Sequence, residues 1–382
     1  MKMRKRTVLI LVFIFLAACA SDKNVDTKME KHREKEVTKL EPKETVKQIT
    51  LSAIGDILIH DRVYNDAVVG DGYDFLPMLD KVRPFLNDTT ITVANQETMI
   101  GGEEIGLSSY PAFNSPIEVG DALKEVGVDV VSIANNHTLD RGEEAIQQAI
   151  RNWETIDMMY TGAYKDKKDS KDIRVYQTDE GISVAFLAYT YGTNGIPVPN
   201  GKDYLVNLID KEEMASAINK AKKQADVTVL SLHFGNEYER LPNDKQKDLA
   251  QFAADNGVDI VIGHHPHVLQ PLKWVEGKKG NKTLVAYSLG NFLSGQDERY
   301  NRIGGILQLT IKQITSVDGE KNTEVTDPKF MPTFVKFHNE TDYRVVPMYQ
   351  LTNEELKDAK KQYQEIREHM SQWMPRLKFV EK

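Results

Sequence analysis

The chain has 382 residues, a formal net charge of −8 and a single cysteine. That length fills one large domain, or one domain with a small extension. The acidic balance argues against nucleic acid as a partner, and one thiol excludes a disulfide within the chain.

The first residues have the parts of an export signal in order. Lys2, Arg4, Lys5 and Arg6 make a basic start, and Val8 to Ala18 is an uncharged apolar run. At about 1.5 Å per residue this run is too short to span a hydrocarbon core of roughly 30 Å as a helix. It therefore reads as the core of a signal peptide over residues 1–18. It closes on Leu16-Ala17-Ala18-Cys19, which resembles the lipobox of bacterial lipoproteins. The resemblance implies cleavage before Cys19, acylation of its thiol, and a protein anchored by membrane lipid on the extracellular face of the cell membrane. The competing reading is an ordinary secreted protein with a small-residue cleavage site. Attached acyl chains contribute about 0.8 kcal/mol per buried CH₂, so two or more anchor stably. Residues 19–47 are dense in Asp, Glu, Lys and Arg and carry few apolar side chains. Such a stretch buries too little surface to offset its ordering entropy and reads as a disordered tether.

From residue 48 to 315 short apolar runs alternate with amphipathic stretches. Ile49 to Ile54, Ile91 to Ala94, Val128 to Ala134, Ser183 to Tyr189, Val227 to Leu232, Asp259 to Ile262 and Leu284 to Tyr287 predict strands covered on both faces. Helices are predicted at Ile117–Val126, Gly142–Ile156, Lys211–Gln224 and Asp244–Asn256, with Gly127 and Gly257 placed as C-caps for two of them. The alternation predicts an α/β fold with a layered sheet. Residues 316–382 read as a C-terminal extension packing on the domain. Within it, 316–328 reads as a loop or hairpin tip, Phe330 to Val346 as an antiparallel strand, and Glu354 to Met374 as a helix stopped by Pro375.

The polar residues fall where strands end. The first predicted strand runs into Gly55-Asp56, the second into Asn95-Gln96-Glu97, and the third into Asn135-Asn136-His137. The fifth ends at His233, the sixth at His264-His265-Pro266-His267, and the seventh at Gly290-Asn291. In open α/β sheets ligands bind beyond the carboxyl ends of strands, so these side chains converge on one crevice. Taken singly each has a bland reading, Asp56 as a turn residue, Asn135-Asn136 as a plain turn, His233 as a satisfied buried histidine. Three histidines among residues 264–267 have no packing rationale, and imidazole is a common transition-metal ligand. Mixed nitrogen and oxygen donors suit Zn, Mn, Fe or Co better than Ca, and two such ions sharing a carboxylate would stabilise charge on a phosphoryl group.

The order Asp, carboxylate, Asn-His, His, His-x-His resembles the calcineurin-like metallophosphoesterases. More narrowly, Gly55-Asp56, Asn95-x-Glu97, Ser132 through Asp140, His233 through Tyr238, Ile262 through Gln270 and Ser288 through Phe292 are similar to the CapA family, over roughly residues 49–312. That resemblance implies a metallophosphatase-like β-sandwich flanked by helices, with the small strand-plus-helix extension. It implies two divalent transition metals (Mn, Zn or Fe). Asp56 and His267 would hold one, and Asn136, His233 and His265 the other, with Glu97 bridging. His264 in place of His265 stays open. His137 would act on the substrate as proton donor or charge stabiliser. Ordinary phosphoesterases begin Asp-x-His, whereas Ile57 and Leu58 follow Asp56 here, so one ligand is missing unless His60 replaces it. The bridging residue is a Glu rather than an Asp. Asn95, Glu237, Tyr238 and Asn291, with His60 and His264, would line the substrate pocket, or serve only in loop hydrogen bonds. Asp140 reads as a turn residue or N-cap for the helix near Gly142.

The resemblance further implies a role in poly-γ-glutamate capsule or surface-polymer production, with membrane polyglutamate synthetase subunits and the anionic polymer as partners. Three functions are compatible with it: a metal-dependent hydrolase of a phosphoester or polymer amide, a catalytically weak subunit assisting synthesis or export, and a polymer-binding module.

Overall fold

The computed structural model describes residues 44–381. The signal, Cys19 and nearly all of the tether lie outside the described residues. In chain order the strands are β1 (Thr45–Leu58), the short pair β2 (Val68–Val69) and β3 (Gly72–Tyr73), β4 (Ile91–Gln96), β5 (Val130–Ser132), β6 (Met159–Thr161), β7 (Arg174–Gln177), β8 (Ser183–Thr190) and β9 (Val227–His233). They continue with β10 (Ile260–His264), β11 (Leu269–Glu276), β12 (Lys282–Leu289), β13 (Asn291–Ser294), β14 (Ile303–Thr315), β15 (Lys321–His338), β16 (Thr341–Pro347) and β17 (Lys378–Phe379).

Two mixed sheets carry the fold. The first runs β16-β15-β14-β1-β4-β5-β6, with β13 also beside β1. Its β1, β4, β5 and β6 are parallel, and β14 to β16 add antiparallel strands on the other side. The second runs β11-β12-β10-β9-β8-β7, parallel in the middle and antiparallel at both edges. Side chains alternate across each strand, so every strand feeds two cores. Leu51, Ala53, Ile91 and Val93 of the first sheet meet Val184, Phe186, Val229, Ile260, Ile262 and Ala286 of the second in one buried layer. The outward residues of the second sheet, among them Ala185, Leu187, Leu230, Leu232 and Val261, are covered by Met214, Ile218 and Ala221 of helix Lys211–Gln224 and by Ala250, Ala253 and Ala254 of helix Asp244–Asp255. Helices Glu118–Glu125 and Gly142–Thr155 cover the first sheet through Val119, Ala122, Leu123, Ala145, Ala149 and Trp153. The result is a four-layer α/β/β/α sandwich.

Two motif glycines permit close backbone approaches beside the strand ends. A Cβ at Gly55 would fall on the carbonyl oxygen of Gly290, and one at Gly263 on that of Tyr287.

Several expectations are corrected. β1 begins at Thr45, so the tether ends before residue 47: Thr45, Val46 and Lys47 already pair with Thr315, Ile314 and Gln313. Residues 316–328 are not all loop. The turn is confined to about 316–320, and from Lys321 the chain pairs back along β14. The ladder there is half-exposed, so the residues are polar and lack the apolar signature of a buried strand. The single strand expected over Phe330 to Val346 is two, β15 and β16, broken at Asn339 and Glu340, whose φ values are 48° and 61°. The last helix is Ala359–Ser371, shorter at both ends than expected, and it ends before Pro375.

Candidate metal centre

Both sheets deliver polar side chains to the same edge. Asp56 lies near the end of β1 and Glu97 one residue past β4; Asn136 and His137 follow β5 after Ser132. His233 and His264 are the last residues of β9 and β10, paired with each other across the ladder, and His265 and His267 follow in the connection to β11. Asp56, Glu97, Asn136, His233, His264, His265 and His267 are all buried.

Two potential metal-holding groups share one carboxylate. Asp56, Glu97 and His267 form one, and Glu97, His233 and His265 the other; within each, the ligand-type atoms lie within 4.8 Å of one another. Glu97 Oε1 is 3.5 Å from His233 Nε2 and 3.7 Å from His267 Nε2. Asn136 Oδ1 stands 2.7 Å from His233 Nε2. Both Glu97 oxygens, His233 Nδ1 and His265 Nδ1 are buried without a hydrogen-bond partner in the protein. Buried polar atoms are costly unless satisfied, so this donor set fits divalent transition metals. A third group, Glu237 with His265 and His267, includes an exposed carboxylate at the mouth.

The remaining side chains hold these in place or line the approach. Asn95 Nδ2 donates to Asp56 Oδ1 at 2.8 Å. His267 Nδ1 is 3.0 Å from Asn291 Oδ1 and 3.2 Å from Asp56 Oδ2, which turns Nε2 toward Glu97. Asn95 and Asn291 are fully buried, behind the ligand-type atoms rather than at the cleft. His264 Nδ1 lies 3.2 Å from Asp56 Oδ1 but belongs to neither shared group. His60 also joins no group; its ring packs edge-on to Phe113 at 5.2 Å and lines the cleft. That cleft, about 940 Å³, is bordered by His60, Arg62, Tyr110, Phe113, His137, Glu237, Tyr238 and His267, with residues 295–301 along one side.

His137 is oriented from behind. Its Nδ1 donates to Asp140 Oδ2 at 2.7 Å, so Nε2 is the ring nitrogen free to act. Asp140 Oδ2 also accepts from Phe113 N at 2.8 Å, and Phe113 meets the His137 ring edge-on at 4.8 Å. Asp140 is thus not the helix N-cap: Arg141 holds that position and makes no side-chain cap bond. Sequence reasoning missed the part played by Asp140, and also Phe113, Tyr191 and Asn194. The predicted fourth strand, Ser183 to Tyr189, is followed by Thr190-Tyr191 and no metal-type ligand, yet the Tyr191 ring lies 4.6 Å from that of His265. The available signal was position, since Tyr191 also follows a strand end.

Charge is distributed unevenly. Burial alone would raise the Asp56 carboxyl, but hydrogen bonds and positive charge from His264 and His267 outweigh it and hold it well below the usual range. Burial pushes Glu97 well above its ordinary value, against the attraction of His267. Burial would lower His267, yet the Glu97 and Asp56 carboxylates carry it up to about 9. His265 is pushed down to about 3 and His60 to about 4, in both cases mainly by burial. His233 lies well below its ordinary value for the same reason. His265 and His267 occupy left-handed backbone, φ 96° and 56°, and Tyr238 has φ 66°. Such conformations cost about 1–3 kcal/mol each and cluster at functional sites.

The fold and the buried cluster define a layered α/β protein with a candidate metal centre at its strand ends. The family described as bacterial capsule synthesis protein PGA_cap matches residues 50–296, and the chain belongs to that family. It is 29% identical over 313 residues to the capsule biosynthesis protein CapA of Bacillus anthracis, covering 79% of this chain and 71% of that one. It is 33% identical over 205 residues to the PGA biosynthesis protein CapA of Bacillus subtilis (strain 168), covering 53% of this chain and 51% of that relative. The chain thus spans about half the length of the second relative. Among solved structures, the calcineurin-like phosphoesterase YfkN from Bacillus subtilis superposes with a TM-score of 0.44 at 15% identity, covering 84% of this chain and 98% of that one.

Proposed function

We propose that this chain supports production or export of poly-γ-glutamate or a related surface polymer from the outer face of the membrane, anchored through Cys19, using a dinuclear metal centre. Membrane polyglutamate synthetase subunits and the emerging polymer are the partners this reading implies. One observation carries the metal centre: Glu97 is fully buried, has no hydrogen-bond partner on either oxygen, and belongs to both ligand groups. Asp56 and His267 would hold one ion, and Asn136, His233 and His265 the other, with Glu97 between them. Bound there, Mn, Zn or Fe would polarise a phosphoryl or carbonyl oxygen and acidify water. The chain's own residues do the rest. His137, its tautomer set by Asp140, presents Nε2 to the cleft to pass a proton to a leaving group. Asn291 and Asn95 keep His267 and Asp56 in register.

A second reading, a subunit that binds polymer without turnover, is favoured by the first group. The residue after Asp56 is Ile57, buried in the apolar core, and His60 stands outside both groups, so only Asp56, Glu97 and His267 would hold that ion. Metal analysis of the purified full chain tests the centre. The expected result is about two transition metals per chain, falling to one or none in Glu97→Gln; less than one in the wild type would sink the reading. Hydrolysis of a generic phosphodiester by the loaded protein, abolished in His137→Ala, separates the enzyme from the assisting subunit.

A further inference from the structure

The loop after β8 reaches the centre through Tyr191, beside His265, and through Asn194. Tyr191 N donates to His233 O at 3.0 Å, which lays the loop beside β9. Residues 193–196 then make a tight turn, in which Ile196 N donates to Thr193 O at 2.9 Å and Thr193 Oγ1 to Ile196 O at 2.6 Å. Asn194 and Gly195 have φ of 51° and 79°, the pattern of a type I′ turn, where Asn-Gly is favoured for backbone reasons alone. The residue type therefore says nothing by itself about function.

The side chain does. Asn194 Oδ1 accepts from Asn136 Nδ2 at 3.2 Å. Asn136 is buried, and its Oδ1 points at His233 Nε2. A carboxamide has one oxygen end and one nitrogen end. A partner that takes the nitrogen end commits the oxygen to the other side, here the side of Glu97 and His233. A turn on an exposed loop thereby decides which atom of a buried amide faces the metal ligands.

We propose that Asn194 is a positioning residue for the metal centre, acting through Asn136: its Oδ1 holds the Asn136 amide with the oxygen directed at the ion shared with His233 and His265. This rests on the metal-centre reading given above. Removing such an outer partner lowers metal affinity by roughly 10–100-fold in other proteins.

The test is Mn²⁺ titration of the purified full chain by calorimetry. Asn194→Gly keeps the left-handed turn and deletes the amide; it is expected to weaken one of two Mn²⁺ sites about tenfold or more with an unchanged melting temperature of the metal-free protein. Asn194→Asp retains an oxygen acceptor and tolerates the same backbone, and is expected to restore binding to within about threefold. In an Asn136→Ala background, Asn194→Gly should have no further effect, because the coupling runs through that one amide. Wild-type affinity in Asn194→Gly, or an equal loss with and without Asn136, overturns the proposal while leaving the metal centre standing. Absence of Mn²⁺ binding in the wild type overturns the metal centre and this proposal with it.

Discussion

At the scale of single residues, the proton on His137 is governed by Asp140. An imidazole can carry its hydrogen on either nitrogen, and an oxygen acceptor at Nδ1 leaves Nε2 as the working atom. Asp140 provides that acceptor at 2.7 Å and is itself tied to the Phe113 backbone. Asp140→Asn preserves size and one acceptor oxygen but can present a donor to Nδ1 instead. In the metal-loaded protein, hydrolysis of a generic phosphodiester should fall on the order of 10²-fold in kcat, with KM little changed. His137→Ala combined with Asp140→Asn should be no worse than His137→Ala alone. A fall of less than threefold in Asp140→Asn would show that the tautomer is set elsewhere. The sequence pattern around Asp140 is equally that of an N-cap, and only the turn bringing it back onto His137 separates the two.

At the scale of elements, the strands are braced at the edge opposite the centre by a recurring device. Asp129 accepts from Thr92 N at 2.8 Å, Asp226 from Ser183 N at 2.9 Å, and Asp259 from Thr228 N at 2.8 Å, each reaching from the entry of one strand to the start of the next. Asp259 costs the fold something at neutral pH, because burial pushes its carboxyl up from 3.8 to about 6 despite the Thr228 amide. The folded state then binds more protons than the unfolded one between those values, so stability present below about 4 is lost as pH rises through about 6. Asp259→Asn keeps the oxygen for Thr228 and removes the charge. Its expected effect is a gain of about 1–2 kcal/mol at pH 7.5 that shrinks toward zero near pH 4, read as melting temperature against pH in the metal-free protein. A gap that is flat in pH would assign the effect to packing instead.

At the scale of the whole molecule, the C-terminal segment is part of the frame. β15 pairs with β14 along nearly its full length, and Met348, Leu351, Ile366, Met370, Met374 and Leu377 complete the core between the sheets. At the other end, β1 starts at Thr45, after the charged segment that follows Cys19. Among the described residues no helix is long and apolar enough to cross a membrane. The proposed anchor is Cys19, and it can be checked directly. In bacterial cells the wild-type chain should fractionate with membranes and take up labelled fatty acid. Cys19→Ala should lose the label and either appear in the medium or accumulate with its signal uncut. A Cys19→Ala chain that is processed and membrane-bound like the wild type would rule the lipid out.

Much of this was written locally. The unbroken apolar runs of Val184 to Tyr189 and its relatives, the helical spacing of Lys211–Gln224 and Asp244–Asp255, and polar residues at strand ends all follow from near-neighbour chemistry, and they specify a layered α/β fold with a crevice. What needed the tertiary structure was whatever depends on residues far apart in the chain. The half-exposed start of β15 is a strand only because β14 lies beside it. His265 rather than His264 stands with Glu97 and His233 because a left-handed residue turns the chain there. Asn291 lies behind His267 because β13 runs against β1 with Asn291 opposite Asp56. A backbone pattern states which faces must be buried; which atom of a ring or an amide faces the centre is decided by partners that only folding brings within hydrogen-bond reach.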